Sequence, residues 1–282
     1  MCRWLAYSGS PILLEELLSK PAHSLIDQSM HARQGATTTN GDGFGVGWYL
    51  DGRTPGVFRA VGPAWSDRNL RELAGHVASP LFMAHIRAST GTAVQETNCH
   101  PFRHGRWLWV HNGLIREFPR VKRDLVLAVD PSLYPAIEGS ADSEVMFFLA
   151  LTFGLEDDPP TAVERMVGFV EAVAGKQGIK EPVQMTVGTS DGDRVWAFRY
   201  SARAGHGRCS TAPRCTPCAS CIPTTRSSTR SPRRPASSCP SRLAISPAPG
   251  TRCQSPATGS STTATTSFTH SDPDRSPAAG GR

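Results

Sequence analysis

The residue with the greatest chemical potential in this chain is its second. Cys2 lies in the opening Met1-Cys2-Arg3-Trp4-Leu5-Ala6-Tyr7, and removal of Met1 puts a thiol and a free α-amine on one residue. An α-amine titrates near pH ~8, so at neutrality much of it is able to accept a proton. A thiol attacks only as thiolate, and a proton acceptor on the same residue replaces the separate histidine that other proteins supply. Nucleophile and base then coincide. Three further polar residues stand where they could complete such a site: Arg87, Asn112 with Gly113, and Asp142. Each alone has a structural explanation, Arg87 as a surface ion pair, Asn112-Gly113 as a hairpin turn and Asp142 as a helix cap.

The elements that must position these groups are legible from periodicity. The apolar run through Tyr7 reads as a buried strand. Gly9-Ser10-Pro11 then places Ser as N-cap and Pro at the first position of a helix carrying Ile12, Leu13, Leu17 and Leu18. Asn40-Gly41-Asp42-Gly43 is a tight turn leading into a strand through Tyr49. A phosphate cradle needs the opposite order, strand before the glycines and helix after them, so close approach of a backbone or small substrate is the better reading. Residues 66–78 form a helix capped by Ser66, and Leu81 to Ile86 form an apolar strand that ends in Arg87. The strand from Arg106 to His111 stops at Asn112-Gly113, a strong turn signal. Gly139 to Glu144 opens a helix with Val145, Phe148, Leu149 and Phe153 on its apolar face. A second helix covers Thr161 to Ala174, and a hairpin joins 183–189 to 194–200. Helices and strands come in pairs, which indicates layered α+β.

Composition divides the chain in two. Residues 1–203 carry 20 Lys and Arg against 22 Asp and Glu, whereas residues 204–282 carry 10 Arg, no Lys and 2 Asp. The basic balance therefore belongs to the tail, and the front domain gives no reason to expect nucleic acid. Of eight cysteines only Cys2 and Cys99 precede residue 204, too few for a disulfide framework, and no apolar run approaches the length of a membrane span. A soluble cytoplasmic protein with no membrane partner is expected. From residue 204 the chain is rich in Ser, Thr, Pro and Arg with very few large apolar residues, the composition of a disordered segment. Cys209, Cys215, Cys218 and Cys221 have spacing suited to zinc or iron–sulfur ligation, but without a scaffold around them no metal and no cofactor are expected. The tail also lacks Val, Asn, Tyr, Trp, Met and Glu, a bias expected of GC-rich coding sequence translated out of phase. With codons chosen to suit, residues 244–261 shifted in frame spell GDLPGAWNEVPVASYGIV, an ordinary globular sequence.

The ordered set Cys2, Asn40-Gly41-Asp42-Gly43, His85-Ile86-Arg87-Ala88-Ser89-Thr90, Asn98-Cys99-His100-Pro101, His111-Asn112-Gly113 and Ser140-Ala141-Asp142-Ser143-Glu144 resembles the class II glutamine amidotransferases, which are N-terminal-nucleophile hydrolases. The resemblance covers about residues 2–201 and is nearest to the stand-alone branch without a fused synthase domain. It implies a four-layer αββα sandwich over 1–203, incomplete at its C-terminal end. It further implies that Cys2 attacks a glutamine side-chain amide, that Asn112 and Gly113 hold the oxyanion, that Arg87 clamps the α-carboxylate and that Asp142 takes the α-ammonium. Thr90 and His100 match positions that shape the pocket. Ala88 and Gly91 stand where some fused relatives carry Trp and His, so the covering loop differs. The implied substrate is glutamine or a γ-glutamyl amide, with an ammonia-accepting partner enzyme or simple hydrolysis as the end point. Alternatives are a γ-glutamyl hydrolase of thiol metabolism, as in ergothioneine formation, and a non-catalytic interaction protein.

Overall fold

The computed structural model describes residues 2–30, 39–50, 54–89, 91–202, 210–211 and 242–245. Its elements in chain order are β1 (Arg3–Leu13), α1 (Glu15–Leu18), α2 (Leu25–Met30), β2 (Phe44–Tyr49), β3 (Gly56–Ala60), α3 (Arg68–His76), β4 (Ala78–Ile86), β5 (Phe102–His104) and β6 (Trp107–Ile115). There follow α4 (Phe118–Val126), α5 (Asp142–Thr152), α6 (Pro159–Lys176), β7 (Val183–Ser190), β8 (Val195–Ser201), β9 (Ser210–Thr211) and β10 (Arg242–Ile245). They build two five-stranded sheets of order β10-β1-β4-β2-β3 and β5-β6-β7-β8-β9, in which the recorded neighbouring pairs are antiparallel.

The four-layer arrangement follows from the alternation of side chains along each strand. Leu5 and Tyr7 of β1, Phe44 and Val46 of β2 and Phe82, Ala84 and Ile86 of β4 pack with Leu18, Leu25, Leu70 and Ala74, so α1 to α3 cover this face. The opposite face presents Trp4, Ala6, Tyr49, Leu81 and Met83, which meet Leu108 and Val110 of β6 between the sheets. The outer face of the second sheet, with Trp109, Val183, Met185 and Val187, packs under α4, α5 and α6. Helix α5 is buried from Ser143 to Leu151 because it lies between this sheet and its helical neighbours, as expected of a helix apolar all round. The expected αββα sandwich is what the chain forms.

Three local expectations are corrected. Pro11 does not start a helix: β1 runs on to Leu13, pairing Ile12 with Ser79 and Leu13 with Ala78 after a register shift beyond Ser8. Ser10 and Pro11 fall inside that irregularity, where a missing N–H costs no ladder bond, and the helix shrinks to Glu15–Leu18. Helix α3 is capped by Asp67, whose Oδ1 accepts the Leu70 N–H at 2.7 Å, and Ala78 already belongs to β4. Asn112-Gly113 is not a turn either. β6 continues to Ile115 with Asn112 opposite Thr186 and Gly113 opposite Met185, because β7 offers a continuous partner that overrides the local turn preference.

Of the tail, β10 lies beside β1 and β9 beside β8, each at a sheet edge. The cysteine cluster and most of the segment expected to be disordered lie outside the described residues. No helix among the described residues is long and apolar enough to cross a membrane.

Candidate active site at the meeting of two strand ends

Antiparallel pairing sets the front of β1 against the end of β4, with Arg3 opposite Ile86 and Trp4 opposite His85. The residue before β1 is therefore delivered to the residues after β4. The sulfur of half-buried Cys2 accepts the Ala88 N–H at 3.2 Å, and its S–H faces the Ala88 carbonyl at 3.3 Å. Burial pushes the Cys2 thiol up, while the Ala88 N–H and the positive charge of Arg87 pull the other way.

Arg87 is almost fully buried. Its Nη1 donates to the Asp42 carbonyl at 3.2 Å, and its Nη2 lies within donor range of Thr92 Oγ1 at 2.6 Å, Ala93 O at 3.0 Å and Ser89 Oγ at 3.3 Å. These acceptors are neutral, and among the described residues no carboxylate lies within ion-pair distance of it. The Asn40–Gly43 turn clasps this segment: Gly43 O accepts the Arg87 N–H at 2.8 Å and Asp42 Oδ2 accepts the Ser89 N–H at 2.7 Å. The close approach expected of its glycines is real, since a Cβ on Gly43 would sit 2.5 Å from Cys99 Sγ.

Asn112 approaches from the other sheet. His85 Nε2 lies 3.1 Å from Asn112 Oδ1 and 3.2 Å from the His111 carbonyl. Gly113 has φ of 149°, and a Cβ there would stand 1.9 Å from the Gln184 carbonyl, so only glycine fits. Asp142, first residue of α5, accepts the Ile115 N–H on Oδ2 at 2.8 Å and the Ser143 N–H on Oδ1 at 2.7 Å. Its carboxylate ties α5 to the end of β6 and does not cap the helix, whose N-cap is Ala141. Ser143 Oγ bridges onward to His111 Nδ1 at 2.7 Å.

A residue to which sequence reasoning gave no role ties the loop that holds Arg87 to the turn before α5. Asn98, fully buried, donates from Nδ2 to Ala93 O at 2.9 Å and Ser140 Oγ at 3.1 Å, and accepts the Ser140 N–H on Oδ1 at 2.8 Å. Beside it, buried Glu144 accepts the Glu138 and Gly139 N–H groups at 2.9 and 2.7 Å, and burial raises its pKa. His100 packs behind the site, its ring 4.2 Å from that of His85 and 4.5 Å from Phe102. Thr90 lies outside the described residues. Burial holds His85 down to about 3, His100 well below its usual range and His111 lower than usual, so the three rings are neutral at pH 7. Asn98 and His85 stood inside quoted motifs, but their partners are 42 and 27 positions away, and only the tertiary structure brings them together.

Residues 15–209 match the family model described as "Glutamine amidotransferases class-II", a match that begins beyond Cys2. The chain is 43% identical over 160 residues to the probable glutamine amidotransferase DUG3 of Saccharomyces cerevisiae, covering 54% of this chain but only 45% of that protein. It is 31% identical over 201 residues to the gamma-glutamyl-hercynylcysteine sulfoxide hydrolase of Mycobacterium tuberculosis, covering 71% of this chain and 80% of that one. Among solved structures, a glutamine aminotransferase class-II domain protein from Silicibacter pomeroyi superposes with a TM-score of 0.57 at 36% identity, covering 71% of this chain and 78% of that one. A family match over residues 15–209, together with a relative 31% identical over 80% of its length, settles the family: the chain belongs to the class-II glutamine amidotransferases.

Proposed function

We propose that the chain hydrolyses the side-chain amide of glutamine, or a γ-glutamyl amide, through a thioester on Cys2. After removal of Met1, the Cys2 α-amine takes the thiol proton and the sulfur adds to the amide carbon. Asn112 Nδ2 and the Gly113 N–H hold the oxyanion, and the amine passes the proton to the leaving nitrogen as the C–N bond breaks. Ammonia or an amine departs; water, deprotonated by the same α-amine, then adds to the thioester and releases glutamate and the thiol. Arg87 binds the α-carboxylate and Asp142 the α-ammonium, with Thr90 and His100 shaping the pocket.

The observation that carries this reading is the juxtaposition of Cys2 Sγ with Ala88, one residue from a buried guanidinium whose partners among the described residues are all neutral. A buried cation without a paired anion is costly unless a ligand supplies the charge, and an amino-acid carboxylate does so with a geometry suited to arginine. Asp142 has three of its roughly four acceptor sites engaged by Ile115 and Ser143 and keeps room for one ammonium proton. The α-amino-acid head is read at both ends and the leaving group at neither. A γ-glutamyl conjugate therefore serves as well as glutamine. The 80% coverage of the sulfoxide hydrolase, against 45% for the amidotransferase of yeast, favours the γ-glutamyl substrate. Released ammonia or amine either leaves as product or passes to a partner enzyme, and the setting is cytoplasmic.

An electrophilic glutamine analogue should label the peptide beginning at Cys2, and Cys2→Ser should abolish labelling and glutamate release together. Glutamate release from glutamine and from a γ-glutamyl thiol conjugate, compared side by side, ranks the two substrates. A chain that folds, retains Cys2 at its processed front and neither labels nor turns over is a non-catalytic interaction protein, and the proposal is then wrong.

A further inference from the structure

His85 is fully buried on the inner face of the first sheet, opposite Trp4 and two positions before Arg87. Its side chain crosses the gap between the sheets and meets β6 at two acceptors, the His111 carbonyl at 3.2 Å and Asn112 Oδ1 at 3.1 Å. The His111 carbonyl has no proton to give, so the ring nitrogen facing it carries the hydrogen. With Nε2 a donor, the group of Asn112 that faces it must be its oxygen. The amide is thereby turned with Nδ2 pointing away from His85, and a flipped amide would set two donors head to head.

Nothing else about the ring contradicts this tautomer. Nδ1 of His85 is buried with no hydrogen-bond partner among the described residues, and the ring packs, tilted, against that of His100. The titratable and charged groups around it are Arg87 just past the end of its own strand, His100 from the following loop, and His111 from the facing sheet, with Asp142 of α5 beyond it. Burial disfavours a second proton on the ring, and His111 and Arg87 act in the same direction, so the neutral form is the resident one.

We infer that His85 is the positioning residue for the oxyanion-holding amide: its Nε2–H fixes the rotamer and the O/N sense of Asn112. The inference rests on the role given above to Asn112 and adds what sets that amide in place before substrate arrives. A group that must donate to a developing oxyanion gains from being oriented in advance, because reorganisation during the reaction costs rate. His85 touches neither substrate nor sulfur in this account and acts only through Asn112.

The test is a double-mutant cycle on glutamate release. His85→Leu removes the donor and should lower kcat about 10- to 100-fold with KM changed less than about twofold, a part of the 10²- to 10³-fold loss typical of a missing oxyanion donor. His85→Gln, whose terminal NH₂ reaches near the Nε2 position, should recover most of kcat. In the background of Asn112→Ala, His85→Leu should cost nothing further, since its effect travels through the missing amide. Alkylation of Cys2 by iodoacetamide, which needs no oxyanion donor, reports that the nucleophile is intact in each variant. If His85→Leu does not fold, His85→Asn, whose amide ends short of the Nε2 position, carries the same comparison against His85→Gln. Equal losses in the presence and absence of the Asn112 amide, or a full kcat in a folded His85→Leu protein, overturn the inference. No turnover in the unsubstituted enzyme, or no loss in Asn112→Ala, overturns the underlying reaction scheme instead.

Discussion

Acid should unfold this protein earlier than its surface charges alone would dictate. His85 ordinarily titrates at 6.5, but burial depresses it to about 3 in the folded chain, with the bonds to Asn112 and the His111 carbonyl opposing the shift. The sign follows directly: a depressed histidine binds fewer protons folded than unfolded, so its contribution is present above pH 6.5 and is lost as pH falls toward 3. At pH 5 the unfolded imidazole is almost fully protonated and the folded one is not, which costs about 2 kcal/mol for this residue alone, at ~1.4 kcal/mol per pH unit. His100 and His111 are shifted the same way by the same cause. Each therefore adds to the loss of stability as pH falls below 6.5, on top of the contribution of His85. Glu144, with a pKa raised by burial, binds its proton more readily in the folded chain and softens the fall at the acid end. Urea denaturation at pH 7.5, 6.0 and 5.0 measures the effect: the midpoint should drop steeply below pH 6.5, and His85→Gln should flatten the slope. A midpoint that holds constant from 7.5 to 5.0 would refute the neutral, buried assignment of this cluster.

Gly113→Ala should destabilise the fold by roughly 2–4 kcal/mol, visible as a lowered Tm, because φ of 149° is unsuited to alanine and the new methyl meets the Gln184 carbonyl. Asn98→Ala should cost about 1–3 kcal/mol by leaving the Ser140 N–H without its acceptor. It should also raise KM for glutamine more than it lowers kcat, since Asn98 ties Ala93, an acceptor for Arg87, to Ser140 ahead of α5; an unchanged KM in steady-state kinetics would count against that link. Arg87→Lys should raise KM at least tenfold, through loss of the planar donor fork, with the rate of Cys2 alkylation little affected. Finally, resequencing the gene across codons 198–210 should reveal a missing or extra base; an unbroken frame, with the tail peptides confirmed by mass, would dispose of the frame explanation.

The layers and most of their elements were legible in the residues. The apolar runs of β4 and β6, the presence of α5 and the 183–200 hairpin came through because burial leaves a trace in residue type that needs no knowledge of partners; the single apolar face expected of α5 did not hold, since the helix is buried all round from Ser143 to Leu151. Local signals failed where a neighbouring strand outbid them. Ser10-Pro11 and Asn112-Gly113 carry start and turn chemistry, yet pairing with β4 and β7 draws both into strands. The motif residues Cys2, Arg87, Asn112 and Asp142 were visible as chemistry at element ends. What the sequence could not display was the set of residues holding them: His85 reaches across the sheets, Asn98 spans two loops, and Asp142 is anchored to a backbone N–H on β6. Each of those contacts joins segments with no shared periodicity.

The bridge from His85 to Asn112 has its donor on one sheet and its acceptor on the other. A slide of one layer over its neighbour by even a fraction of an ångström is thus transmitted to the amide, although neither sheet is distorted. The spacing of the layers is set by Trp4, Met83, Leu108 and Val110, close-packed groups that respond to a single added or deleted methylene. Turnover in this enzyme is in that sense a gauge of how its two halves are seated, and volume changes deep between the sheets should alter it while leaving every polar residue in its place.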